Sequence, residues 1–123
     1  MIGFYIFMLI CTLLTPITML FFGYRWRKKP PKEINTGYGY RTRRSMSSKK
    51  AWNFAHAFFG KLWLILGWVT LVITIVVMAV LAFFTTEVAT VGFVGGIIVC
   101  LQMIPLIAPI FTTERALKRE FGI

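Results

Sequence analysis

His56 is the single histidine of this 123-residue chain, Cys11 and Cys100 are its two cysteines, and Glu33, Glu87, Glu114 and Glu120 are its four acids. There is no aspartate. Hydrolysis by a triad needs a nucleophile, a base and an orienting acid held together. His56 would have to serve as the base, yet Glu87 is expected on the opposite side of a membrane from it. A metal centre would have to join His56 to distant glutamates, and no ligand spacing supports one. Two cysteines are too few for a disulfide scaffold, and each lies inside a long apolar run, where the thiol packs as a small apolar group. Gly37-Tyr38-Gly39 lacks the third glycine and the strand–helix context of a nucleotide loop. The inventory points to a protein that is not an enzyme and implies no cofactor and no metal.

What remains is a concentration of positive charge. The chain has 14 Lys+Arg against 4 Asp+Glu, a net charge of +10. Ten of the basic residues fall within Arg25–Lys50, with Tyr38, Tyr40 and, just beyond, Trp52. Basic and aromatic residues together can bind nucleic acid. A basic segment beside a membrane span has a simpler meaning: it sets topology and attracts anionic headgroups, about 1 kcal/mol per Lys or Arg near the surface. Membrane lipid is the expected partner of this segment, and nucleic acid is not.

The elements that position these residues follow from where charge is absent. Ile2–Tyr24, Leu62–Phe84 and Val88–Phe111 contain no charged residue and together hold 70 of the 123 residues. About 20 apolar residues in a helix cross a hydrocarbon core of ~30 Å. In lipid the backbone must bond to itself, so each run should be a helix. Hydrophobic residues make up 58% of the chain and charged ones 15%, more apolar and less charged than a soluble domain. The expectation is an all-α membrane protein forming one membrane domain over residues 1–123, with three transmembrane helices at about 2–24, 62–84 and 88–111.

No Lys or Arg precedes the first run, and Arg25, Arg27, Lys28 and Lys29 follow it. That is the pattern of a retained anchor rather than of a cleaved signal. The basic 25–50 loop and the 112–123 tail, with Arg115, Lys118 and Arg119, fall on the same side of three spans. The positive-inside rule makes that side cytoplasmic and puts the N-terminus and the Thr85–Glu87 turn outside.

Finer features follow along the chain. Pro16 frees the carbonyl of Thr12, four residues before it, which a hydroxyl or a neighbouring helix must satisfy; a kink is expected there. Tyr24 and Trp26 read as an interfacial aromatic anchor. Ser45, Ser47 and Ser48 are candidate N-caps. Trp52, Ala55, Phe59 and Leu62 recur at helical spacing, which suggests a short amphipathic helix over 49–60 in the headgroup region, with Gly60 as the bend into the second span. A single unbroken helix from Lys49 to Phe84 is the alternative. Gly92 and Gly96 form a GxxxG pair suited to helix packing. Gln102 should find an interhelical hydrogen bond, while Pro105 and Pro109 suggest a bent or loosened helix end. The tail reads as a helix capped by Gly122, with Glu114 and Lys118 as an i,i+4 pair.

Asn35, Gly39, Tyr40, Arg41, Thr42 and Ser45, followed by Trp52, Asn53, His56 and Gly60, carry a family resemblance. The order Gly-Tyr-Arg-Thr, a serine three residues on, then Trp, Asn, His and Gly before a long apolar run resembles the SdpI family of bacterial membrane proteins. It covers residues 35–60 closely, and spans two and three more loosely. It implies a multi-pass helical protein of the bacterial inner membrane. The family's namesake is an immunity protein that protects a toxin-producing cell from its own secreted peptide toxin. It also relays the toxin signal by holding a transcriptional repressor at the membrane. This chain is shorter, with three spans where the namesake has more. The implied role is immunity or response to a membrane-active peptide toxin, with a cytosolic regulator as a further partner. The residues from Asn35 to Gly60 named above would form the partner- or lipid-binding motif. A small accessory subunit, alone as a homo-oligomer or within a larger membrane complex, is the competing expectation.

Overall fold

The computed structural model describes residues 2–29, 39–85 and 87–122. Three helices make up the fold: α1 (Ile2–Lys28), α2 (Lys49–Phe84) and α3 (Val88–Phe121). All three are long and apolar enough to cross a membrane. At 1.5 Å per residue, the 36 residues of α2 span about 54 Å and the 34 of α3 about 51 Å. Both are therefore longer than a ~30 Å hydrocarbon core is thick.

That continuity corrects one expectation. There is no separate amphipathic helix over 49–60. Gly60 lies inside α2, which runs unbroken from Lys49 to Phe84. Ser48 starts it from an extended backbone, its side chain accepting a hydrogen bond from the Ala51 N–H at 3.1 Å. Nothing between Lys49 and Phe84 breaks the backbone ladder, because the segment holds no proline. The tail likewise continues α3 through Pro105 and Pro109 to Phe121. Gly122 closes it in the left-handed region, φ 66°, its N–H bonded to the Lys118 carbonyl at 2.8 Å.

The helices bury small and polar side chains together with some large ones, and leave most large apolar side chains outside. On α1 the buried stripe is Thr12, Pro16, Met19, Gly23 and Trp26, at three- and four-residue steps. Its opposite face carries exposed Ile6, Ile10, Leu14, Ile17 and Phe21. Membrane bundles favour this arrangement, since lipid solvates the outer face and small residues let backbones approach. The backbones of α1 and α2 approach closely at two glycines. A Cβ built at Gly23 would lie 2.9 Å from the Gly60 carbonyl oxygen, and one at Gly60 would lie 3.0 Å from that of Gly23. At Gly92 a Cβ would meet Phe4 at 3.5 Å, and at Gly96 nothing within 4 Å.

A polar knot joins all three helices at mid-length. Pro16 has no N–H to give the Thr12 carbonyl. Gln102 of α3 supplies one instead, its Nε2 donating to that oxygen at 2.7 Å and to the Thr74 hydroxyl of α2 at 3.0 Å. The expected interhelical bond of Gln102 is thus made, and it lands on the carbonyl that Pro16 leaves without its helical donor.

Candidate functional site

The basic ends of the three helices converge on the segment 39–48. Gly39 enters it at φ 110°, a backbone angle that L side chains rarely adopt. The turn directs the next residue, Tyr40, into the bundle, where it is buried among Trp26, Ala51, Ala55, Phe59 and Leu117. Its ring lies 4.7 Å from that of Phe59.

Tyr40 is gripped from two helices. Its N–H donates to Nε2 of His56 on α2 at 2.8 Å, and its hydroxyl donates to Oε2 of Glu114 on α3 at 2.8 Å. An amide N–H can only donate, so His56 Nε2 must accept. The proton then sits on Nδ1 and is donated to the Trp52 carbonyl at 2.8 Å. The imidazole is therefore neutral, fully buried, and edge-on to Trp26 with ring centroids 5.1 Å apart. Burial raises the phenol of Tyr40 above its ordinary pKa, and the hydrogen bond and negative charge of Glu114 raise it further. It stays protonated and keeps donating.

Thr42 and Ser45 close the segment on itself. The Ser45 hydroxyl accepts from the Thr42 N–H at 2.8 Å and reaches the Tyr40 carbonyl at 2.8 Å. The Thr42 hydroxyl accepts from the Ser45 N–H at 3.1 Å and donates to Glu114 Oε2 at 2.9 Å. Arg44 adds a longer contact to Glu114 Oε1 at 3.5 Å. The Glu114 carboxylate thus collects two hydroxyl donors and a guanidinium from one short segment.

Of the residues singled out in the sequence, the structure brings together Gly39, Tyr40, Thr42, Ser45, Trp52 and His56. Gly60 sits one turn further along α2, at the crossing with α1. Arg41 and Asn53 are exposed beside this cluster. Asn35 lies outside the described residues, as do Glu33 and Tyr38. Gly92 and Gly96 lie on α3 far from the cluster.

Three participants were not read from the sequence. Glu114 was expected to pair with Lys118 and instead bonds the 39–48 segment. Trp26 was expected as an interfacial anchor; it is 6% exposed, stacked on Trp63 with centroids 5.9 Å apart. Tyr24, half of the same expected anchor, is exposed and accepts from the Trp68 indole at 3.1 Å. Gly23 was not singled out. A usable signal existed for Glu114, because it is the first charged residue after 26 uncharged ones and lies at the same end as Thr42.

The arrangement holds a segment in place. The comparisons agree with a membrane-protein family. The sequence pattern of the SdpI/YfhL protein family matches residues 32–113, which include the whole 39–60 cluster and end one residue before Glu114. The uncharacterized protein YfhL of Bacillus subtilis (strain 168) is 53% identical over 38 residues, which are 31% of this chain and 34% of that protein. The similarity therefore spans about a third of that relative. No solved structure matches the chain. With two thirds of its length matching the family pattern and its motif folded into one cluster beside three apolar helices, the chain belongs to the SdpI/YfhL family of membrane proteins.

Proposed function

We propose that this protein gives a bacterial cell immunity to, or a response to, a membrane-active peptide toxin, without catalysis. In this reading it sits in the inner membrane with its N-terminus and the turn at Glu87 outside, and the 25–50 segment and C-terminus in the cytoplasm. The observation that carries the reading is the double grip on Tyr40 by His56 and Glu114. Those two residues stand on α2 and α3, and each helix runs unbroken from the latch to the Glu87 turn. A peptide that inserts into the outer leaflet and shifts α2 against α3 changes the spacing of His56 and Glu114. The 39–48 segment then loosens where a cytosolic regulator can read it. Exposed Arg41 is the side chain of the motif placed to touch that regulator or a headgroup, while buried Trp52 locks the segment's base to α2.

A survival assay tests this. The chain is expressed in a sensitive bacterium and challenged with a panel of membrane-active peptides, beside Arg41→Ala and Tyr40→Phe at matched membrane levels. Protection that falls with either variant is expected. Protection unchanged in both, with the proteins accumulating normally, would overturn the latch mechanism. No protection at all would overturn the immunity reading.

One observation favours a second reading, a lipid-binding accessory subunit. Phe21, Tyr24, Arg25, Lys28 and Lys29 line an open pocket at the basic end of α1. Its three cations and two aromatic rings suit an anionic headgroup above an acyl chain. Co-purification with a larger membrane protein, in a chain that gives no peptide resistance, would support it.

A further inference from the structure

A groove of about 470 Å³ opens between α2 and α3. Its walls are Val69, Ile73 and Val77 on one side and Val94, Ile97 and Leu101 on the other, and Thr70, Thr74 and Gln102 form its polar part. It covers Leu66 to Val77 on α2 and Val94 to Pro105 on α3, the middle of both apolar runs. Anything that enters comes from the hydrocarbon and not from water.

Gln102 sits there with an unmet need. It is 3% exposed, and its Nε2 is committed to Thr12 and Thr74. The Thr12 oxygen is a carbonyl and only accepts, so the amide cannot be flipped. Among the described residues its Oε1 has no partner. A buried carbonyl without a donor is costly, and in lipid no water relieves it. The groove therefore has apolar walls and, closed off at its Gln102 edge, one vacant acceptor.

Size decides what fits. Eleven rises along either helix give a length of about 16 Å, so the mean cross-section is about 30 Å². A whole helix with side chains, 10–12 Å across, needs roughly 80 Å² or more. What enters is the side-chain ridge of a helix lying along the groove, about three turns long. A hydrocarbon chain would also fit the width, but it brings no donor. We propose that this groove docks a membrane-inserted apolar peptide helix bearing one hydrogen-bond-donating side chain near its middle. This deepens the immunity reading and rests on it: the helix is the toxin class, seated where it bears on both α2 and α3. The vacant oxygen is closed to water, so the donor reaches it as the two walls part. That parting is the movement the latch would register.

The test uses the full chain in phosphatidylethanolamine–phosphatidylglycerol vesicles. The probes are two dansyl-labelled Leu/Ala transmembrane peptides of about 20 residues, one with a central Ser and one with Ala in its place. Energy transfer from the protein's tryptophans reports binding. Wild type should bind the Ser peptide about three- to tenfold more tightly than the Ala peptide. Gln102→Leu should erase that preference. Because Gln102→Leu also cuts the bonds to Thr12 and Thr74, a second variant keeps them: Val69→Phe with Ile97→Phe fills the groove and should weaken both peptides about tenfold or more. Equal binding of the two peptides to wild type, or unchanged binding to the filled groove, would overturn the proposal. So would energy transfer between differently labelled copies of the chain that disappears in the filled variant, since a second copy would then be the occupant. Survival separates the two ideas. Binding in the groove without protection of cells defeats only the immunity reading. Protection that persists in the filled variant defeats only the groove.

Discussion

Replacing Gly60 by alanine should separate α1 from α2. The added methyl would lie 3.0 Å from the Gly23 carbonyl oxygen, 3.1 Å from the Arg27 amide nitrogen and 3.2 Å from the Trp26 Cβ. Carbon contacts are most favourable at about 3.5–4.0 Å, so the helices must part by about half an ångström. Two of the three obstacles are backbone atoms, which cannot rotate aside. Overpacking of this kind costs about 1–3 kcal/mol, against a helix-propensity gain of up to about 1 kcal/mol for Gly→Ala. The net loss should be about 1 kcal/mol, about a fivefold shift in the unfolding equilibrium. Gly23→Ala meets the Gly60 oxygen and the Leu64 nitrogen at 2.9 Å each and should cost as much. The pair should be less than additive, because helices already parted accept the second methyl freely. Gly96→Ala and Gly3→Ala meet nothing within 4 Å and should be neutral or slightly stabilising. Reversible unfolding by SDS in mixed micelles, followed by tryptophan fluorescence, reads wild type, the four single variants and the double variant. Trp26 and Trp63 stack beside the crossing and report on it directly. Wild-type stability in Gly60→Ala, or a loss in Gly96→Ala equal to that in Gly60→Ala, would refute the assignment of the close crossing to Gly23 and Gly60.

Glu114→Ala should raise hydrogen exchange across 39–48 about ten- to hundredfold, since a charge-assisted bond contributes about 1.5–3 kcal/mol. Arg44→Ala should change it little, because its 3.5 Å contact is partly exposed and such pairs contribute about 0–1 kcal/mol. Imidazole ¹⁵N shifts at neutral pH should show His56 neutral with its proton on Nδ1. Burial holds the His56 imidazole below its ordinary pKa. Acidification through and below the ordinary histidine range should therefore lower the protection of the Tyr40 amide, taken relative to its intrinsic exchange rate, because a proton on Nε2 would face the Tyr40 N–H with a second donor. The sign is therefore loss of the latch as pH falls, and an unchanged Tyr40 protection factor once the imidazole ¹⁵N shifts report protonation would disprove it. Gly39→Ala should cost about 1–3 kcal/mol of segment stability through its φ of 110°, seen as faster proteolysis of the loop at unchanged helix content. Double-mutant cycles on Gln102→Leu and Thr74→Val should give a coupling of about 0.6–1.7 kcal/mol by SDS titration.

Several features were legible before any coordinates because they depend on local chemistry. Charge is excluded from three runs, and exclusion from hydrocarbon is a one-dimensional signal. Ser48 caps α2 and Gly122 ends α3 because capping needs only a residue and its near neighbours. Gln102 finds an interhelical partner because a buried amide has nowhere else to turn. The motif from Gly39 to Gly60 stood out because its residue types are unusual beside a span.

Which faces meet was not legible. In water the buried face of a helix is the apolar one, and its period appears in the sequence. In lipid the outer face is apolar as well: on α1, Ile6, Ile10 and Leu14 outside are as hydrophobic as Met19 inside. The GxxxG pair at Gly92 and Gly96 was visible as a spacing, whereas Gly23 and Gly60 are 37 residues apart and become a pair only when α1 crosses α2. Trp26 looked like an anchor because aromatic residues favour interfaces, and the crossing buried it. Glu114 had a good local partner in Lys118, yet three donors from one distant segment outcompeted it. By itself the sequence determined a basic, helical membrane protein with three apolar runs long enough to cross a membrane and a motif beside the second. Tertiary structure decided that α2 is one unbroken helix, that Tyr40 is held between His56 and Glu114, and that Gln102 keeps a vacant acceptor in a groove. The first set follows from each residue's preference for water or lipid, the second from which backbones can approach and which donors then find acceptors.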